Sequence, residues 1–398
     1  MLSRRTSIGQ YYLYSVTRSF GFYLPVGTVY LLEVRGFGGL ALGMIQAAFT
    51  IGMVGAEIPT GYVGDRLGRR NSLICGKLLS VAALLSYVWI ETPIGYMALQ
   101  FVWAIGWTMA SGTSDALLYE LLARKDATDR FGAIAGRARA LMLGTSALTA
   151  ALSGYLAAID WLVPFLANAL LVGAGIPVLL SLPEPGGRAA DSTPFTVERA
   201  MSILRMQLGR STIRWFVVYA AVIYALASMT RTFEQPAALA VGVPVAQMGL
   251  LYAGFKLVSA VVAGGTDWFQ RRFGIHGVFW LVMPVIGGIY LLPAVTPVAI
   301  VGVLFLSRSL RTLLTPLQNQ YLNDRIGDVG RATILSGASM VFSIAASTAN
   351  VGGGLLVDRV GVINALSVAG LTATVICGLL WQTTSPVRND LSTETETH

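Results

Sequence analysis

The chain alternates between long apolar stretches and short polar breaks from end to end. A hydrocarbon layer about 30 Å thick is crossed by a helix of about 20 mostly apolar residues, so each long stretch predicts one transmembrane helix. We number the predicted helices as spans 1 to 12. They cover residues 9–32, 38–60, 72–91, 95–122, 132–157, 161–182, 213–235, 245–266, 276–293, 297–321, 332–356 and 362–382.

The polar breaks also predict the domain organisation. We expect an N-terminal six-helix bundle over residues 1–182 and a C-terminal six-helix bundle over residues 213–382. A cytoplasmic linker (residues 183–212) joins them, and a polar cytoplasmic tail (residues 383–398) follows. Apolar and charged residues alternate in the linker, which suits an amphipathic helix on the membrane surface. A plain tether fits equally well, and we assign the linker no chemistry.

The composition excludes a soluble protein. Of the 398 residues, 55% are hydrophobic and 12% are charged, about half the share of roughly 25% that is usual in soluble domains. The mean hydropathy is +0.66. A soluble body of this size needs a charged exterior that this chain cannot supply, and intrinsic disorder is excluded on the same ground.

The charges indicate orientation. The formal net charge is +8, and 18 of the 28 Lys and Arg residues fall on one set of connections against 3 on the other. Because cations favour the cytoplasmic side, this asymmetry places both termini in the cytoplasm of a multi-pass plasma-membrane protein. These cations face the anionic headgroups of the membrane lipid. This accounts for the basic pI, so we expect no nucleic acid as a partner.

Cofactor and enzyme chemistry find no support in the sequence. The two cysteines, Cys75 and Cys377, lie in apolar runs, and the two histidines, His276 and His398, are far apart. Neither a metal-ligand cluster nor a phosphate-cradling loop nor a nucleophile elbow is present. We therefore expect no metal, no cofactor and no enzyme activity.

An internal repeat relates the two halves. Asp65 and Asp267 lie in similar segments 202 residues apart, and Arg130 and Arg331 begin similar segments 201 residues apart. Two agreeing offsets predict parallel halves related by a pseudo-twofold axis along the membrane normal. Such a pair encloses one cavity near mid-membrane, which is the geometry of alternating access.

A loop motif after span 2 carries a family resemblance. Its sequence is Gly61-Tyr-Val-Gly-Asp65-Arg66-Leu-Gly68-Arg69-Arg70. It resembles the hallmark motif of the major facilitator superfamily, and the preceding residues 57–60 are similar to the lead-in of bacterial and archaeal exporters. Together with the spans and the repeat, the resemblance covers essentially the whole chain. Residues 144–154 lack the proline that many drug–proton exporters of the superfamily carry in helix 5.

The resemblance implies an all-α polytopic membrane protein with twelve transmembrane helices in two six-helix bundles. It implies a secondary transporter that moves a small organic solute by alternating access. We expect proton-coupled efflux by a functional monomer. A facilitator or exchanger of organic anions stays open, as does a nontransporting membrane sensor.

The loop motif is also expected to hold the cytoplasmic side closed. Glycine permits a tight turn and close helix approach, and in the superfamily Asp65 meets the start of span 11. Arg69, Glu120 and Arg130 resemble the family's cytoplasmic charge network. The expected latch residues are Gly61, Asp65, Arg66, Gly68, Arg69, Arg70, Glu120 and Arg130. The alternative is an ordinary cytoplasmic charge bias with a solvated ion pair.

Charges inside the spans are costly, so each is a candidate functional residue. Counted from the turn near residue 127, Asp115 and Arg139 lie at equal depth, which predicts a buried pair. Asp115 is then either a proton-coupling carboxylate or a neutralising partner of Arg139. Lys77 is expected to be peripheral, with Glu57 as a partner at similar depth.

Three arginines are expected to face the cavity. Arg18 lies near the middle of span 1, while Arg308 and Arg311 share one face of span 10. In the superfamily spans 1, 4, 7 and 10 line the cavity, and Trp107 and Tyr224 lie on the same spans. Because arginine keeps its proton, the three cations favour an anionic or zwitterionic substrate. Pairing of some arginines with helix ends, and packing of the aromatics, are the alternatives.

Overall fold

A computed structural model describes residues 2–184, 211–325 and 331–387. In these ranges every regular element is helical. The helices are α1 (Leu2–Val16), α2 (Gly27–Glu33), α3 (Gly39–Leu67), α4 (Arg69–Ser86), α5 (Pro93–Ala110), α6 (Thr113–Ala123), α7 (Phe131–Ile159), α8 (Leu162–Gly173), α9 (Gly175–Ser181), α10 (Ser211–Ala240), α11 (Val245–Val295), α12 (Ile300–Arg325), α13 (Arg331–Val360) and α14 (Val362–Thr384). Short 3₁₀ turns cover Thr128–Arg130 and Pro297–Ala299.

The helices confirm the predicted all-α fold. Within the described residues, eight helical stretches are long and apolar enough to cross a membrane. One of them, α11, contains two predicted spans, because the backbone at Gly274 leaves the helical region with φ 64° and ψ 167°. Predicted spans 1, 3 and 4 are not among these eight helical stretches. Spans 1 and 4 are each built from two helices, and span 3 corresponds to α4, which carries three cations.

Contacts divide the chain into two compact units. The first unit contains residues 1–192 and 242–256, and the second unit contains residues 193–241 and 257–398. The predicted linker lies outside the described residues from position 185 to position 210, and the predicted tail lies outside them from position 388. The amphipathic helix expected in the linker stays a prediction.

Three spans of the first unit are divided into two helices. Span 1 has no helix between Val16 and Gly27, and span 4 breaks at Ser111 and Gly112. In span 6 the helix is divided only at Ala174, whose backbone angles stay helical with φ −58° and ψ −19°. Backbone groups freed at a break need polar partners, since lipid offers none. In span 1 the amide of Tyr23 donates to Asn168 Oδ1 at 3.2 Å, and Ser153 Oγ donates to the carbonyl of Phe22 at 2.7 Å.

Aromatic rings pack behind the break in span 1. Tyr23 lies 4.8 Å from Trp103 and 5.3 Å from Tyr87, measured between ring centroids. Phe165 stacks on Tyr87 at 4.9 Å and meets Tyr30 edge-on at 5.2 Å. Such offset and edge-to-face contacts stabilise a core beyond the apolar area that they bury. We call these five residues the aromatic cluster.

Two glycines make similar turns after spans 2 and 8. Gly68 has φ 84° and ψ 159°, close to the values at Gly274. This region of the backbone map is open only to glycine at low cost. Asp65 and Asp267 correspond in the repeat, so the second turn comes about one helical turn later along its half. The repeat therefore preserves the turn and not its position.

The second unit is built from longer continuous helices. Its first span, α10, runs for 30 residues and continues through Pro236. A buried polar contact joins it to α13, where Asn350 Nδ2 donates to Ser228 Oγ at 3.2 Å and Thr232 Oγ1 donates to Asn350 Oδ1 at 3.1 Å. Since both helices are intact, these side chains bond to one another rather than to a broken backbone.

Candidate functional site

The predicted latch contains one ion pair that the sequence analysis named. Arg69 Nε lies 3.3 Å from Glu120 Oε1, and both side chains are about a third exposed (32% and 31%). Arg130 is exposed, and within the described residues it has no ion pair. Of the three residues expected to form a charge network, Arg69 and Glu120 are therefore paired in the described part of the chain.

Glu184 completes this site, although the sequence analysis did not name it. Arg70 Nε lies 3.0 Å from Glu184 Oε2, and Arg70 also donates to the carbonyl of Leu182 at 2.9 Å. A Cβ added at Gly68 would lie 2.2 Å from Glu184 Oε1. Gly68 is thus required by its backbone angles, whereas the Glu184 carboxylate is the end of a flexible side chain and can move aside. The signal for Glu184 was its place just after the end of span 6, at the start of the predicted linker.

Other latch residues contribute less than expected. Gly61 lies inside α3, and a Cβ there would meet no atom within 4 Å, so neither a turn nor a close helix approach requires this glycine. The guanidinium of Arg66 lies 4.4 Å from the ring centroid of Tyr62. Asp65 lies in the last turn of α3, and its side chain is outside the described residues.

The predicted buried pair of Asp115 and Arg139 is wrong. Both side chains are exposed, and in the described part of the chain no ion pair joins them. The equal-depth count assumed one continuous helix, but span 4 breaks at Gly112, where φ is 71°. Asp115 instead lies in the first turn of α6, where the positive end of the helix dipole stabilises a carboxylate.

Lys77 is also placed differently from the prediction. Its side chain is 7% exposed, whereas Glu57 is exposed and makes no ion pair with it. The ammonium group donates to the carbonyl and hydroxyl oxygens of Thr17, both at 3.0 Å, and to the carbonyl of Val172 at 3.1 Å. Lys77 therefore lies at the broken parts of spans 1 and 6 and not at the periphery.

The predicted cavity residues of span 1 and span 4 lie near these breaks. The Arg18 guanidinium is 5.9 Å from the ring centroid of Tyr14, whose hydroxyl lies 3.4 Å from Ser114 Oγ. Trp107 is 43% exposed and packs against Phe20 at 5.7 Å. Arg18 and Trp107 thus border the interruptions in their respective spans.

A cleft in the second unit contains the other predicted residues. It lies between α10, α11 and α12 and is open to its surroundings on one side, so it forms part of a larger site rather than an enclosed cavity. Tyr224 and Arg311 line it, with the Arg311 guanidinium 5.6 Å from the ring centroid of Tyr224. Its polar lining also includes Tyr290, Ser307 and Gln318. We call this the α10–α12 cleft.

Arg308 does not line the cleft but holds a buried carboxylate beside it. Arg308 Nε donates to Glu234 Oε2 at 3.1 Å, and a second hydrogen bond reaches Glu234 Oε1. Glu234 is 3% exposed, and its pairing was missed because the predicted end of span 7 lies next to it. Arg231, counted as a loop cation in the sequence analysis, lies inside α10 and interacts electrostatically with Arg308, Arg311 and Glu234.

The arrangement of both units favours solute binding over catalysis. Among the described residues, no group of three or more His, Cys, Asp or Glu side chains could hold a metal ion. The second unit has a cleft lined by one arginine and two tyrosine rings, and the first unit has broken helices that present polar backbone groups. This combination is typical of a polytopic membrane transporter.

Comparison with known proteins identifies the family. The model of the Major Facilitator Superfamily matches residues 12–349, and the chain belongs to this family. Two relatives are MFS-type transporters: YxaM of Bacillus subtilis (strain 168) is 23% identical over 39% of this chain, and MJ1560 of Methanocaldococcus jannaschii is 27% identical over 19%. The matched segments span 38% and 20% of the length of those relatives.

Solved structures show the same fold. A crystal structure of a mutant of the nucleoside transporter NupG has a TM-score of 0.82 at 13% identity, covering 95% of this chain and 99% of that chain. The crystal structure of the D-xylose-proton symporter has a TM-score of 0.65 at 14% identity, covering 93% of this chain and 95% of that chain. A bacterial homologue of the human lysosomal transporter Spinster gives 0.71 at 13% identity, covering 98% of both chains. At these identities the solved structures show that the chain has the fold of these transporters.

Proposed function

We propose that the protein transports a small organic anion by alternating access, with the α10–α12 cleft as part of its binding site. The charge balance beside the cleft carries this proposal. Away from their ends, α10 and α12 hold three arginines, Arg231, Arg308 and Arg311, against the single carboxylate of Glu234. Glu234 is bound to Arg308 and also interacts electrostatically with Arg231, so the group of four side chains keeps a net positive charge that favours an anionic partner.

The chemistry of the cleft agrees with an organic rather than an inorganic anion. Arg311 presents a planar, permanently charged fork that matches a carboxylate or phosphate. The ring of Tyr224 and the apolar residues Ile223 and Leu310 form the walls beside it. A solute with one acidic group and an apolar or aromatic body fits both features. A zwitterion would place its amino group away from these arginines.

Thermal shift of the purified protein with a solute panel tests this proposal. We expect organic carboxylates and phosphates to raise the melting temperature, and neutral analogues of the same size to leave it unchanged. Arg311→Gln should raise the solute concentration needed for the same thermal shift about 10- to 100-fold, because a hydrogen bond to a charged group contributes about 1.5–3 kcal/mol. Arg272→Gln is the matched control, since Arg272 lies beyond the cleft at a ring contact with Phe273.

An equal response to neutral solutes, or an Arg311→Gln protein that responds like the wild type, would contradict the anion proposal. Flux in proteoliposomes then separates transport from sensing. A chain that binds anions and moves none of them at any gradient is a sensor.

Proton coupling is a second element of the proposal. Asp115 is an exposed carboxylate at a helix break, without an ion pair among the described residues. A carboxylate within a predicted span is a candidate coupling group, because charges there are rare without a function. We expect Asp115→Asn to retain downhill exchange of the anion and to lose its dependence on a pH gradient. Equal gradient dependence in the variant and the wild type would favour a facilitator or exchanger.

The proposal also covers the direction of transport and the role of the latch residues. Efflux from the cytoplasm across the plasma membrane rests on residues 57–60 and on the distribution of the cations along the sequence. The ion pairs Arg69–Glu120 and Arg70–Glu184 support a latch that ties spans 3, 4 and 6 near the loop motif. For the latch, Asp65→Asn should raise the labelling of a cysteine placed on the cytoplasmic side of the cavity.

A further inference from the structure

The ammonium group of Lys77 is fully used by hydrogen bonds. It donates to Thr17 O, Thr17 Oγ1 and Val172 O, at distances of 3.0, 3.0 and 3.1 Å. The Thr17 hydroxyl cannot donate in return, because its own proton goes to the carbonyl of Tyr14 at 2.7 Å. All three contacts therefore need an N–H donor on the lysine. Three donors exist only on the protonated amine.

The acceptors of Lys77 belong to the ends of two interrupted helices. Thr17 follows the last residue of α1, and Val172 is in the last turn of α8. Carbonyl groups at the C-terminal end of a helix carry partial negative charge and lack partners inside the helix. One ammonium group thus bridges the break in span 1 to the break in span 6.

The ammonium group of Lys77 lies so close to position 175 that a side chain there would overlap it. Gly175 is the first residue of α9, and a Cβ added there would lie 2.4 Å from both Cε and Nζ of Lys77. The same Cβ would lie 2.3 Å from Thr17 Oγ1. A side chain at position 175 would displace the bridge without removing the lysine.

We propose that Lys77 is a proton-binding site that ties the breaks in spans 1 and 6 together when protonated and releases them when neutral. On release, an N–H bond breaks, the proton passes to water, and the electron pair stays on Nζ. The neutral amine then has two donors for three acceptors, and its lone pair faces oxygen atoms. One helix end loses its partner, which frees the interrupted segment to move.

The charged surroundings allow the proton to leave. Arg18 is close enough to interact with Lys77 as a like charge, and the ring centroid of Tyr14 is 5.2 Å from Nζ. α8 and α9, which pack on α4, contain no ionisable residue. The ionisable residues of α3, α5 and α6 are Glu57, Tyr62, Asp65, Arg66, Tyr96, Asp115, Tyr119 and Glu120. No carboxylate in the described residues forms an ion pair with Lys77.

Nitrogen-15 NMR of the lysine amines tests the proton site on the wild-type protein. The chain has three lysines, Lys77, Lys125 and Lys256, so Lys125→Met and Lys256→Met variants assign the signals. We expect the Lys77 signal to change from ammonium to amine within the pH range where the protein stays folded. A Lys77 signal that stays ammonium throughout this range would overturn the proposal.

Hydrogen exchange in lipid nanodiscs tests the bridge, at one mildly acidic and one mildly alkaline pH. After correction for intrinsic rates, residues 17–26 of the wild type should exchange roughly tenfold faster at the higher pH, as expected for an opening linked to loss of one proton. Lys77→Met should exchange fast at both pH values, and Gly175→Ala should lose most of the pH response. Lys125→Met, whose lysine bonds to Ser7, is the control and should behave like the wild type.

Retention of the wild-type pH response by Lys77→Met would overturn the bridge. Neither measurement uses a transported solute, so they succeed or fail independently of the proposed anion specificity.

Discussion

Spans that are divided into two helices in the first half of the duplicated chain are single helices in the second half. Span 1 is split into α1 and α2, whereas its counterpart in the second half, α10, is one helix of 30 residues. Span 4 is split into α5 and α6, whereas α12 is one helix of 26 residues. Span 6 is split at Ala174, whereas α14 is continuous. The repeat has kept the order of the helices and not their continuity.

This difference separates two kinds of polar chemistry. In the first unit, Lys77 and Asn168 bind backbone groups at the breaks, so side chains stand in for missing helix hydrogen bonds. In the second unit α10 and α12 are continuous, so their backbone groups form hydrogen bonds within the helix. The buried side chain of Glu234 pairs with the side chain of Arg308. A lysine can change its charge and an arginine cannot. In the proposals made above, the first unit therefore responds to protons and the second recognises a fixed charge.

The largest effect is expected from breaking the buried pair of the second unit. Glu234→Ala leaves Arg308 without its carboxylate, and removal of one partner from a buried pair costs about 3–5 kcal/mol. We expect the lower end, about 3 kcal/mol, because the Arg308 side chain is 30% exposed. Unfolding in mild detergent measures this change. The double variant Glu234→Leu with Arg308→Leu should recover most of the loss, and equal instability of both variants would argue against an electrostatic cause.

The loop glycines give the next largest effect. Gly68→Ala should lower the free energy of unfolding by about 2 kcal/mol, since the backbone angles there cost about 1–3 kcal/mol for other residues and the new Cβ meets Glu184. Gly274→Ala should cost less, because a Cβ at Gly274 meets no atom within 4 Å. Gly61→Ala is the control and should be neutral or slightly stabilising, as it lies inside α3. A larger loss at Gly61 than at Gly68 would contradict the turn assignment.

Two buried asparagines test the contrast between broken and intact helices. Asn168→Ala should cost about 1–3 kcal/mol, because it leaves the amide of Tyr23 unpaired inside the break. Asn350→Ala should cost less, since Thr232 can still donate to the carbonyl of Ser228 at 3.1 Å. Thermal melting ranks the two variants, and hydrogen exchange of residues 19–26 should rise in Asn168→Ala only. The reverse order would remove the distinction that we draw between the units.

The smallest effect on stability is expected from Arg69→Ala. Its pair with Glu120 is about a third exposed, and ion pairs of this kind contribute less than about 1 kcal/mol. A melting temperature close to that of the wild type, with increased cysteine labelling on the cytoplasmic side of the cavity, would support the latch. Unchanged labelling would leave the pair as a surface contact.

The sequence was most informative where the signal is an average over many residues. Hydropathy and charge predicted the spans and the all-α fold, because about 20 apolar residues in a row have few alternatives. The breaks in spans 1, 4 and 6 were not predicted, since a few polar partners elsewhere in the fold decide whether a helix stays intact. Asn168, for example, lies on α8, far along the chain from the Tyr23 amide that it binds.

Individual partners were harder to predict for the same reason. The equal-depth argument for Asp115 and Arg139 failed because Gly112 interrupts the count along span 4. Lys77 was matched to Glu57 by depth alone, whereas its partners are backbone oxygens that carry no sequence signal. The Arg69–Glu120 pair, in contrast, was named in advance because both residues match the charge network that the family resemblance implies.

The aromatic cluster gives the first unit a built-in optical reporter. The Trp103 indole is 4% exposed and lies between the rings of Tyr23 and Phe20, both of which belong to the interrupted part of span 1. A rearrangement of that segment would alter the asymmetric field around the indole and the excitation energy that it receives from tyrosine. Near-ultraviolet circular dichroism and intrinsic fluorescence can therefore follow the segment without any attached dye.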